Sequence, residues 1–527
     1  MKKHVIMGLM LLITATEEVN AQAGLLDQTF GSGGKVTSNF NIIDRGLDFD
    51  IQSDGKIIVV GSTSTNSNTS SGFIARYNTN GSLDNTFGTS GVFTPTLGSL
   101  NSLASVVLQS DGKIIAVGPV LVGTTYNLLS IRLNANGNLD NSFGINGIQT
   151  FSIGSISTNP VSVKLQTDGK IIIGFQNNSI FTNNIDFGVL RLNASGTLDS
   201  SFGNNGILIL SFFNSDDILR DIEIQPDGKI IASGYAVDDI NLNYKYALAR
   251  INSDGSLDSS FGTNGKTSLG FINNPYPYHC GSKCSLTPNG KIIMLGTLFG
   301  MNDTIGLIQF NSNGSIDGTF GDNGFKKIST GYASNRDGDV LVQNDGKILI
   351  CGAAKNQNNP DQYIFALFRV NPSGTYDNSF ASNGFVTTSF GSSSGEEISS
   401  SVKLQTDGKI VVIGASGFSG PSSILLARYN SGLYTGLTEQ PTEDDYFVPY
   451  PNPFNNLVTL NYTLQEPSSI TIDLLDITGK IILSNTEQST SGRHKKEILM
   501  PDNVKTGVYF IKMKSKSFDR TYKLIKN

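Results

Sequence analysis

Residues 47–94 read LDFDIQSDGKIIVVGSTSTNSNTSSGFIARYNTNGSLDNTFGTSGVFT, and the pattern of this stretch decides the fold. The run 56–61 is almost continuously apolar and rich in β-branched residues, which is typical of a strand covered on both faces. Asp-Gly at 54–55 and Asn-x-Asn-Gly at 78–81 supply turns, because Gly and Asn accept backbone angles that other residues avoid. The stretch therefore predicts four antiparallel strands and no long helix, with the strands at 47–52, 56–61, 73–78 and 91–94.

This unit occurs seven times, and the repetition is the strongest signal in the chain. The glycine of an Asp-Gly-Lys-like turn recurs every 56 to 62 residues, at Gly55, Gly112, Gly169, Gly228, Gly290, Gly346 and Gly408. The phenylalanine of a Leu-Asp-x-x-Phe-Gly-like element recurs at Phe30, Phe87, Phe143, Phe202, Phe261, Phe320 and Phe380. Four-stranded units of this length are typical of the blades of a β-propeller.

The two repeated elements are out of phase at the ends of the repeat region. A Leu-Asp-x-x-Phe-Gly-like element comes first, at 26–31, and an Asp-Gly-Lys turn followed by Ala-Arg-Tyr-Asn at 427–430 comes last. Strand 35–37 can complete a blade whose other strands lie near 399–430, and this closure leaves no open edge in the ring. We therefore predict an all-β fold, a seven-bladed β-propeller closed by its N-terminal strand and followed by a small C-terminal β-sandwich. The alternative, an open β-solenoid stack, explains the period but not the complementary ends.

Residues that recur in every copy are interpreted first as scaffold. An arginine recurs in the third strand, with Gln309 in its place in the fifth copy, at Arg76, Arg132, Arg191, Arg250, Arg369 and Arg428. An aspartate recurs in the Leu-Asp-like element, at Asp27, Asp84, Asp140, Asp199, Asp258, Asp317 and Asp377. Such repetition suits a folding unit better than a single active site, so we expect Arg and Asp to brace each blade corner. The Asn-x-Asn-Gly turns are a weak alternative as calcium loops, because they lack acidic ligands.

The first 23 residues are typical of a secretory signal peptide. Lys2 and Lys3 precede an apolar run at 5–15 that is too short to span a bilayer, and small residues allow cleavage after Ala21 or Ala23. No cysteine lies near these sites, and no later apolar stretch approaches membrane-spanning length. We therefore expect export without a lipid anchor or a transmembrane segment.

A different domain follows the repeats. We assign 24–430 to the propeller, 431–446 to a polar linker and 447–527 to a separate tail. The tail has 11 basic and 7 acidic residues, so its net charge of +4 contrasts with −10 for the rest of the chain. Its strand patterns predict a small β-sandwich, at 457–464, 469–475, 480–484, 496–500, 507–514 and 520–525.

Two known families resemble these segments. The pattern Leu-Gln-x-Asp-Gly-Lys-Ile-Ile, followed by Ala-Arg-Tyr-Asn-x-x-Gly-x-Leu-Asp-x-x-Phe-Gly, resembles the delta-60 repeat of secreted bacterial proteins over about residues 25–430. That resemblance implies a propeller-like β array and no particular reaction. The tail segments Tyr-Pro-Asn-Pro-Phe at 450–454, Leu-Asp-Ile-Thr-Gly-Lys at 475–480 and Gly-Val-Tyr-Phe-Ile-Lys at 507–512 resemble the type A C-terminal sorting domain of the Bacteroidota type IX secretion system. This second resemblance implies periplasmic transit, recognition by the secretion machinery, and release or attachment at the cell surface. The alternative interpretation of the tail is a carbohydrate-binding β-sandwich.

A ligand site is expected where the seven copies differ. Eight residues before the Gln or Thr that ends each inner strand, every copy has a polar residue: Asp44, Asn101, Thr158, Asp217, His279, Asn335 and Glu397. Alternation along the same strands predicts a channel lining that includes Asp48, Asp221, Lys283 and Asp339. The candidates for ligand binding at the channel mouth are therefore Asp44, Asn101, Asp217, His279, Asn335 and Glu397, with loop 273–279 overhanging them. The simpler alternative is that a wet channel mouth is polar without specific chemistry.

Two classes of function remain open. The first is a secreted or cell-surface binding or structural module, without catalysis, that uses its faces for a protein or glycan partner; the similarity of the seven copies favours it. The second is a polysaccharide-acting hydrolase or lyase with its site at the channel mouth. We predict no metal or other cofactor, because Cys280, Cys284 and Cys351 with His279 do not make a convincing ligand set. A nucleic-acid partner is not expected for a chain of net charge −6.

Overall fold

The computed structural model describes residues 22–432 and 448–526, apart from short gaps. The gaps lie at 67–68, 98–100, 154, 180–183, 241–242, 271–278, 299–303, 332–334, 382, 393–394, 418–419, 451–455, 465, 477–479, 502–503, 506 and 516–518. The chain forms two compact units, residues 1–432 and 433–527. The predicted signal peptide, except for its last two residues, and the linker from 433 onward lie outside the described residues.

The first unit consists of four-stranded antiparallel sheets, one for each sequence repeat. Blade 1 contains β2 (Ile43–Ile51), β3 (Ile57–Asn66), β4 (Thr69–Tyr77) and β5 (Val92–Phe93). Blade 2 contains β6 (Ser105–Leu108), β7 (Ile114–Val122), β8 (Thr125–Leu133) and β9 (Ile148–Phe151). Blade 3 contains β10 (Ser155–Leu165), β11 (Ile171–Ser179), β12 (Ile185–Leu192) and β13 (Ile207–Leu210), and one bridge between β10 and β8 joins it to blade 2. The four predicted strands of the first repeat are confirmed, although β2 begins four residues earlier than predicted and β5 covers only Val92–Phe93. β3 and β4 are longer than predicted because their hairpin continues beyond the apolar run.

The remaining blades repeat this order of strands. Blade 4 contains β14 (Asp217–Ile224), β15 (Ile230–Val237), β16 (Tyr244–Ile251) and β17 (Lys266–Leu269). Blade 5 contains β18 (His279–Leu286), β19 (Ile292–Leu298), β20 (Thr304–Phe310) and β21 (Phe325–Ile328). Blade 6 contains β22 (Asn335–Val342), β23 (Ile348–Asn356), β24 (Asn359–Val370) and β25 (Phe385–Thr388). Blade 7 contains β26 (Glu397–Leu404), β27 (Ile410–Ser416) and β28 (Ser423–Tyr429), with β1 (Lys35–Ser38) as its outer strand.

The N-terminal strand closes the ring, as the phase of the repeats predicts. β1 pairs antiparallel with β28, with Lys35 opposite Ala427 and Ser38 opposite Ile424. The seven inner strands β2, β6, β10, β14, β18, β22 and β26 contact one another in this order, and β26 contacts β2 again. The open β-solenoid alternative is therefore wrong.

The hydrophobic core lies between the blades rather than inside one central volume. Seven clusters of buried apolar side chains occur, and each joins two neighbouring blades. The cluster at the closing interface combines Phe49 and Val59 of blade 1 with Val411 and Leu426 of blade 7. Each central strand is buried on both faces because it packs against a blade on either side, which explains its continuous apolar pattern.

The recurrent charged residues brace the blade corners, as predicted. In blade 1, Arg76 Nε lies 2.8 Å from Asp84 Oδ2, and Arg76 Nη1 donates to the carbonyl of Ala135 in the next blade. The guanidinium stacks over Phe87 at 4.8 Å from the ring centroid. At the seam, Arg428 of blade 7 makes the same contacts with Asp27 and Phe30, which the N-terminal segment supplies. Every Arg–Asp corner thus links a hairpin to the following turn and to the next blade.

The corner aspartates are held in the charged form. Burial alone would raise the pKa of Asp27, but hydrogen bonds from the Thr29 hydroxyl and amide, with Lys409 and Arg428, lower the pKa to about 2. The pKa of Asp140 is lowered to about 2 in the same manner, by Ser142 and Arg132 against the effect of burial. These carboxylates therefore stay ionised at any physiological pH.

The second unit is a β-sandwich, as predicted. One sheet contains β29 (Val448–Tyr450), β30 (Leu457–Leu464) and β33 (Gly492–Leu499). The other sheet contains β31 (Ser468–Leu475), β32 (Ile481–Ser489), β34 (Gly507–Lys514) and β35 (Asp519–Lys526). A single core joins the two sheets through residues such as Val458, Leu474 and Ile511. Among the described residues of the whole chain, no helix is long and apolar enough to cross a membrane.

Candidate functional site

Charged and polar side chains line the axis of the propeller. Asp48, Asp221, Lys283 and Asp339 occupy equivalent positions on the inner strands of blades 1, 4, 5 and 6. The Lys283 side chain keeps 27% of its surface exposed although seven blades surround it. The side chains expected at the channel from strand alternation are therefore found on the innermost strands.

The residues of this ring join neighbouring blades. Asp48 Oδ2 accepts hydrogen bonds from Ser105 Oγ at 2.8 Å and from the amide of Val106 at 3.1 Å, both in blade 2. Its other oxygen accepts one from Ser401 Oγ of blade 7 at 3.1 Å. Asp339 accepts the amide of Val402 at 3.1 Å in the same way. These contacts run around the axis, so the ring contributes to closure.

Lysine side chains lie beside several of the carboxylates of the inner strands. Lys164 pairs with Glu223 at 2.5 Å and Lys403 pairs with Asp50 at 3.3 Å. Burial alone would lower the pKa of Lys283, but the carboxylates of Asp221, Asp339 and Asp48 raise it. In the described part of the chain, no group of three or more His, Cys, Asp or Glu side chains is arranged to hold a metal ion.

The predicted channel-mouth carboxylates lie on the opposite face of their strands. A bulge separates Gly46 from Asp48 in β2, and equivalent bulges follow Leu219 in β14 and Ser399 in β26. One extra residue reverses the alternation, so that the segment before the bulge faces away from the ring. Asp44, Asp217 and Glu397 are completely buried as a result. Alternation counted along the sequence does not include the bulge, so each of these carboxylates lies on a different strand face from the residue four positions later.

The three carboxylates hold the loops that precede their own strands. Asp44 accepts the amides of Phe40 and Asn41 and the hydroxyl of Thr63. Glu397 accepts the amide of Phe390 at 2.9 Å and that of Ser392 at 2.8 Å.

Asp217 plays the same part in blade 4. It accepts the amide of Phe212 at 2.6 Å and the Ser211 hydroxyl at 2.8 Å. Burial, with a contribution from the nearby carboxylate of Asp186, raises the pKa of Asp217 to about 6. Its Oδ1 atom is buried and has no hydrogen-bond partner among the described residues.

The other candidates are only partly described. Asn101 is buried; its Oδ1 accepts the amide of Gly72 at 2.5 Å and its Nδ2 donates to the carbonyl of Leu97 at 2.5 Å. The backbones of His279 and Asn335 pair with Leu298 and Ala354, and their side chains lie outside the described residues. Loop 271–278 also lies outside them. Ligand binding by any of the six candidates stays a prediction.

Two of the three cysteines are buried and free. Cys284 lies in β18 and Cys351 in β23, and neither forms a disulfide. Burial raises the pKa of both thiols, and the carboxylates of Asp221 near Cys284 and Asp339 near Cys351 raise it further. Neither thiol is therefore prepared to act as a nucleophile.

The structure adds a cleft at the closing seam that sequence reasoning missed. Its volume is about 610 Å³, its walls are the loops 39–42, 390–392 and 421–423, and its floor includes Thr37, Ser416 and Leu425 of blade 7. Asp44 and Glu397 hold two of these loops from behind. One signal in the sequence could have pointed to these loops. A phenylalanine recurs ten residues after the corner phenylalanine and two residues after the end of the outer strand, at Phe40, Phe212 and Phe390.

Sequence families match both units. A family described as "Domain of unknown function (DUF5122) beta-propeller" matches residues 52–87, 109–143, 166–202, 225–261, 287–320, 343–380 and 405–432. A family described as "Secretion system C-terminal sorting domain" matches residues 449–527. A tail of this kind marks proteins that the type IX system exports to the cell surface or secretes. No curated protein sequence is significantly similar to the chain.

Several solved structures are similar to the chain at low identity. A polysaccharide lyase of family PL25, an ulvan lyase, is 11% identical, with 74% of this chain and 95% of that chain covered and a TM-score of 0.43. PorZ, a surface component of the type IX secretion system of Porphyromonas gingivalis, is 12% identical, with coverages of 94% and 70% and a TM-score of 0.31. An α-L-arabinanase of Penicillium chrysogenum in complex with arabinobiose is 9% identical, with coverages of 61% and 91% and a TM-score of 0.40. None of these likenesses bears on the activity of the present chain.

Proposed function

Because this chain is a DUF5122 β-propeller protein with a type IX sorting domain, we propose that its exported propeller is a noncatalytic binding or structural module for a protein or glycan partner. One observation carries the proposal. The three acidic residues among the channel-mouth candidates, Asp44, Asp217 and Glu397, are completely buried, and each accepts backbone amides of its own loop. A group committed in this way does not reach a substrate, whereas general acid–base catalysis requires hydrogen-bond reach to it.

A hydrolase or lyase is the second candidate, and a single observation favours it. The pKa of Asp217 is raised to about 6 by burial, with Asp186 adding to the effect. Raised carboxyl pKa values are typical of general acids, although structural burial produces them as well. The role that Asp217 shares with Asp44 and Glu397 in positioning a loop supports the structural explanation.

The experiment that separates the two functions uses purified mature protein. It is incubated with a glycan array and with a panel of soluble polysaccharides, and retention and product formation are measured in parallel. Retention without new reducing ends or unsaturated products supports the binding module. Turnover that Asp217→Asn abolishes would refute it and establish the enzyme.

We also propose that the signal peptide is cleaved after Ala21 rather than after Ala23. Ala23 is buried, and its carbonyl accepts the amide of Ala381 at 2.8 Å. Cleavage after Ala23 would remove this contact from the closing blade. N-terminal sequencing of exported protein tests the proposal: Gln22 is the expected first residue, and a start at Gly24 would contradict it.

A further inference from the structure

We infer that the cleft at the closing seam is a binding site for an uncharged saccharide segment. The inference deepens the proposed binding function and rests on it. With about 610 Å³, the cleft falls within the range of small-molecule sites. It lies where the N-terminal strand joins blade 7, so it exists only in the closed ring.

The walls of the cleft are fixed by buried groups. Loop 39–42 is held by Asp44, and loop 390–392 is held by Glu397 through two backbone amides. The third wall is tied to the first, because the Ser422 amide donates to the Ile42 carbonyl at 3.0 Å and the Asp44 amide donates to the Ser422 carbonyl at 3.0 Å. A site whose walls are already ordered loses little entropy when a ligand binds. The two carboxylates thus act as positioning residues for the cleft, rather than as ligands.

The chemistry of the lining selects an uncharged, hydroxyl-rich ligand. All lining residues are neutral: hydroxyl and amide side chains such as Thr37, Asn39 and Ser392 alternate with apolar surface from Ile42 and Phe390. Hydroxyls and amides each donate and accept hydrogen bonds, as sugar hydroxyls do, and the apolar groups match the C–H faces of a sugar ring. Ile42, a large apolar residue on the rim, is 55% exposed.

An anionic polysaccharide fits this lining poorly. Its carboxylates or sulfates would be desolvated in the cleft without a cation to pair with. The nearby ammonium of Lys35 is already engaged, because it donates to the Ser389 carbonyl at 2.9 Å and lies 5.8 Å from the Phe390 ring. The lining therefore discriminates against acidic glycans.

A peptide is less suitable than a saccharide for a geometric reason. An extended peptide usually binds by adding a strand to an open sheet edge. Thr37 and Leu425 are cross-strand neighbours in blade 7, and both line the cleft. These two residues present the face of the sheet to the cleft, whereas addition of a peptide strand would use the outer edge of β1.

The test uses a blocking substitution and a matched control. Thr37→Arg places a long side chain on the cleft floor, whereas Thr150→Arg makes the same change at the equivalent exposed position of blade 2, opposite Leu129. Binding of the mature full chain is measured by affinity electrophoresis. The neutral probes are xyloglucan, laminarin and galactomannan, and the anionic probes are alginate and polygalacturonate. We expect retention by at least one neutral probe, at least tenfold weaker binding for Thr37→Arg, and a change below twofold for Thr150→Arg.

Each other outcome has a defined meaning. Unchanged binding by Thr37→Arg would overturn the cleft while leaving the binding function in place. Retention by the anionic probes alone would overturn the assignment of an uncharged ligand. No retention by any probe would overturn the saccharide site, and a protein would then be the remaining partner for the module. If Thr37→Arg unfolds, Asn39→Ala in the exposed loop replaces it, with an expected loss of threefold or more; no loss with this variant would also overturn the cleft.

Discussion

Closure of the ring can be tested with one pair of matched substitutions. Phe30 comes from the N-terminal segment but fills the corner of blade 7, where it is completely buried 4.5 Å below the Arg428 guanidinium. Phe202 fills the corresponding corner of blade 3, also completely buried, at 4.8 Å from Arg191. Truncating a buried phenylalanine to alanine costs about 3–5 kcal/mol, through lost transfer energy and the cavity that remains. Phe30→Ala and Phe202→Ala are therefore expected to lower the free energy of unfolding by similar amounts.

The assay is urea unfolding followed by far-ultraviolet circular dichroism, because the chain has no tryptophan to report by fluorescence. Hydrogen exchange of the β1 and β28 amides provides a local readout, since the Arg428 amide donates to the Gly34 carbonyl across the seam. We expect faster exchange at the seam in Phe30→Ala and no change there in Phe202→Ala. A loss below about 1 kcal/mol for Phe30→Ala, beside a full loss for Phe202→Ala, would refute the closed ring.

Three further predictions concern other parts of the chain. The pKa of Asp217 in the folded protein, about 6, lies above its ordinary value, so the contribution of its protonated form to stability is present at low pH and is lost as the pH rises through 6. Asp217→Asn should therefore stabilise the protein by on the order of 2 kcal/mol at pH 7.5 but not at pH 4. Parallel pH profiles of thermal unfolding for the two proteins would contradict this. Asp317 already pairs with Lys291 at 2.6 Å, and Gln309→Arg should add the guanidinium that the other corners have. The free energy of unfolding should rise by about 1–2 kcal/mol, which urea unfolding measures, and a decrease would show that blade 5 has repacked around the glutamine. Fusing 433–527 to a reporter with a signal peptide should bring the reporter to the surface or medium of a type IX-competent cell, and retention in the periplasm would count against sorting by this unit alone.

The amino-acid sequence by itself determined the architecture of the propeller. Seven copies of one turn and one corner specify seven blades, and the phase difference between Leu26 and Arg428 predicts closure before any coordinate is known. The role of the repeated arginines also followed from repetition, because a contact made in six blades has to serve the blade itself. The β-sandwich of the tail also followed from the periodicity of its strands.

The tertiary structure decided where the variable polar residues point. A single bulged residue in each of β2, β14 and β26 turns Asp44, Asp217 and Glu397 away from the axis and into buried contacts with their loops. Bulges depend on the fit between neighbouring blades and leave no distinct mark on strand alternation, so the reversal was invisible in the sequence. The cleft at the seam was invisible for a related reason: its walls come from segments about 350 residues apart, and only ring closure brings them together.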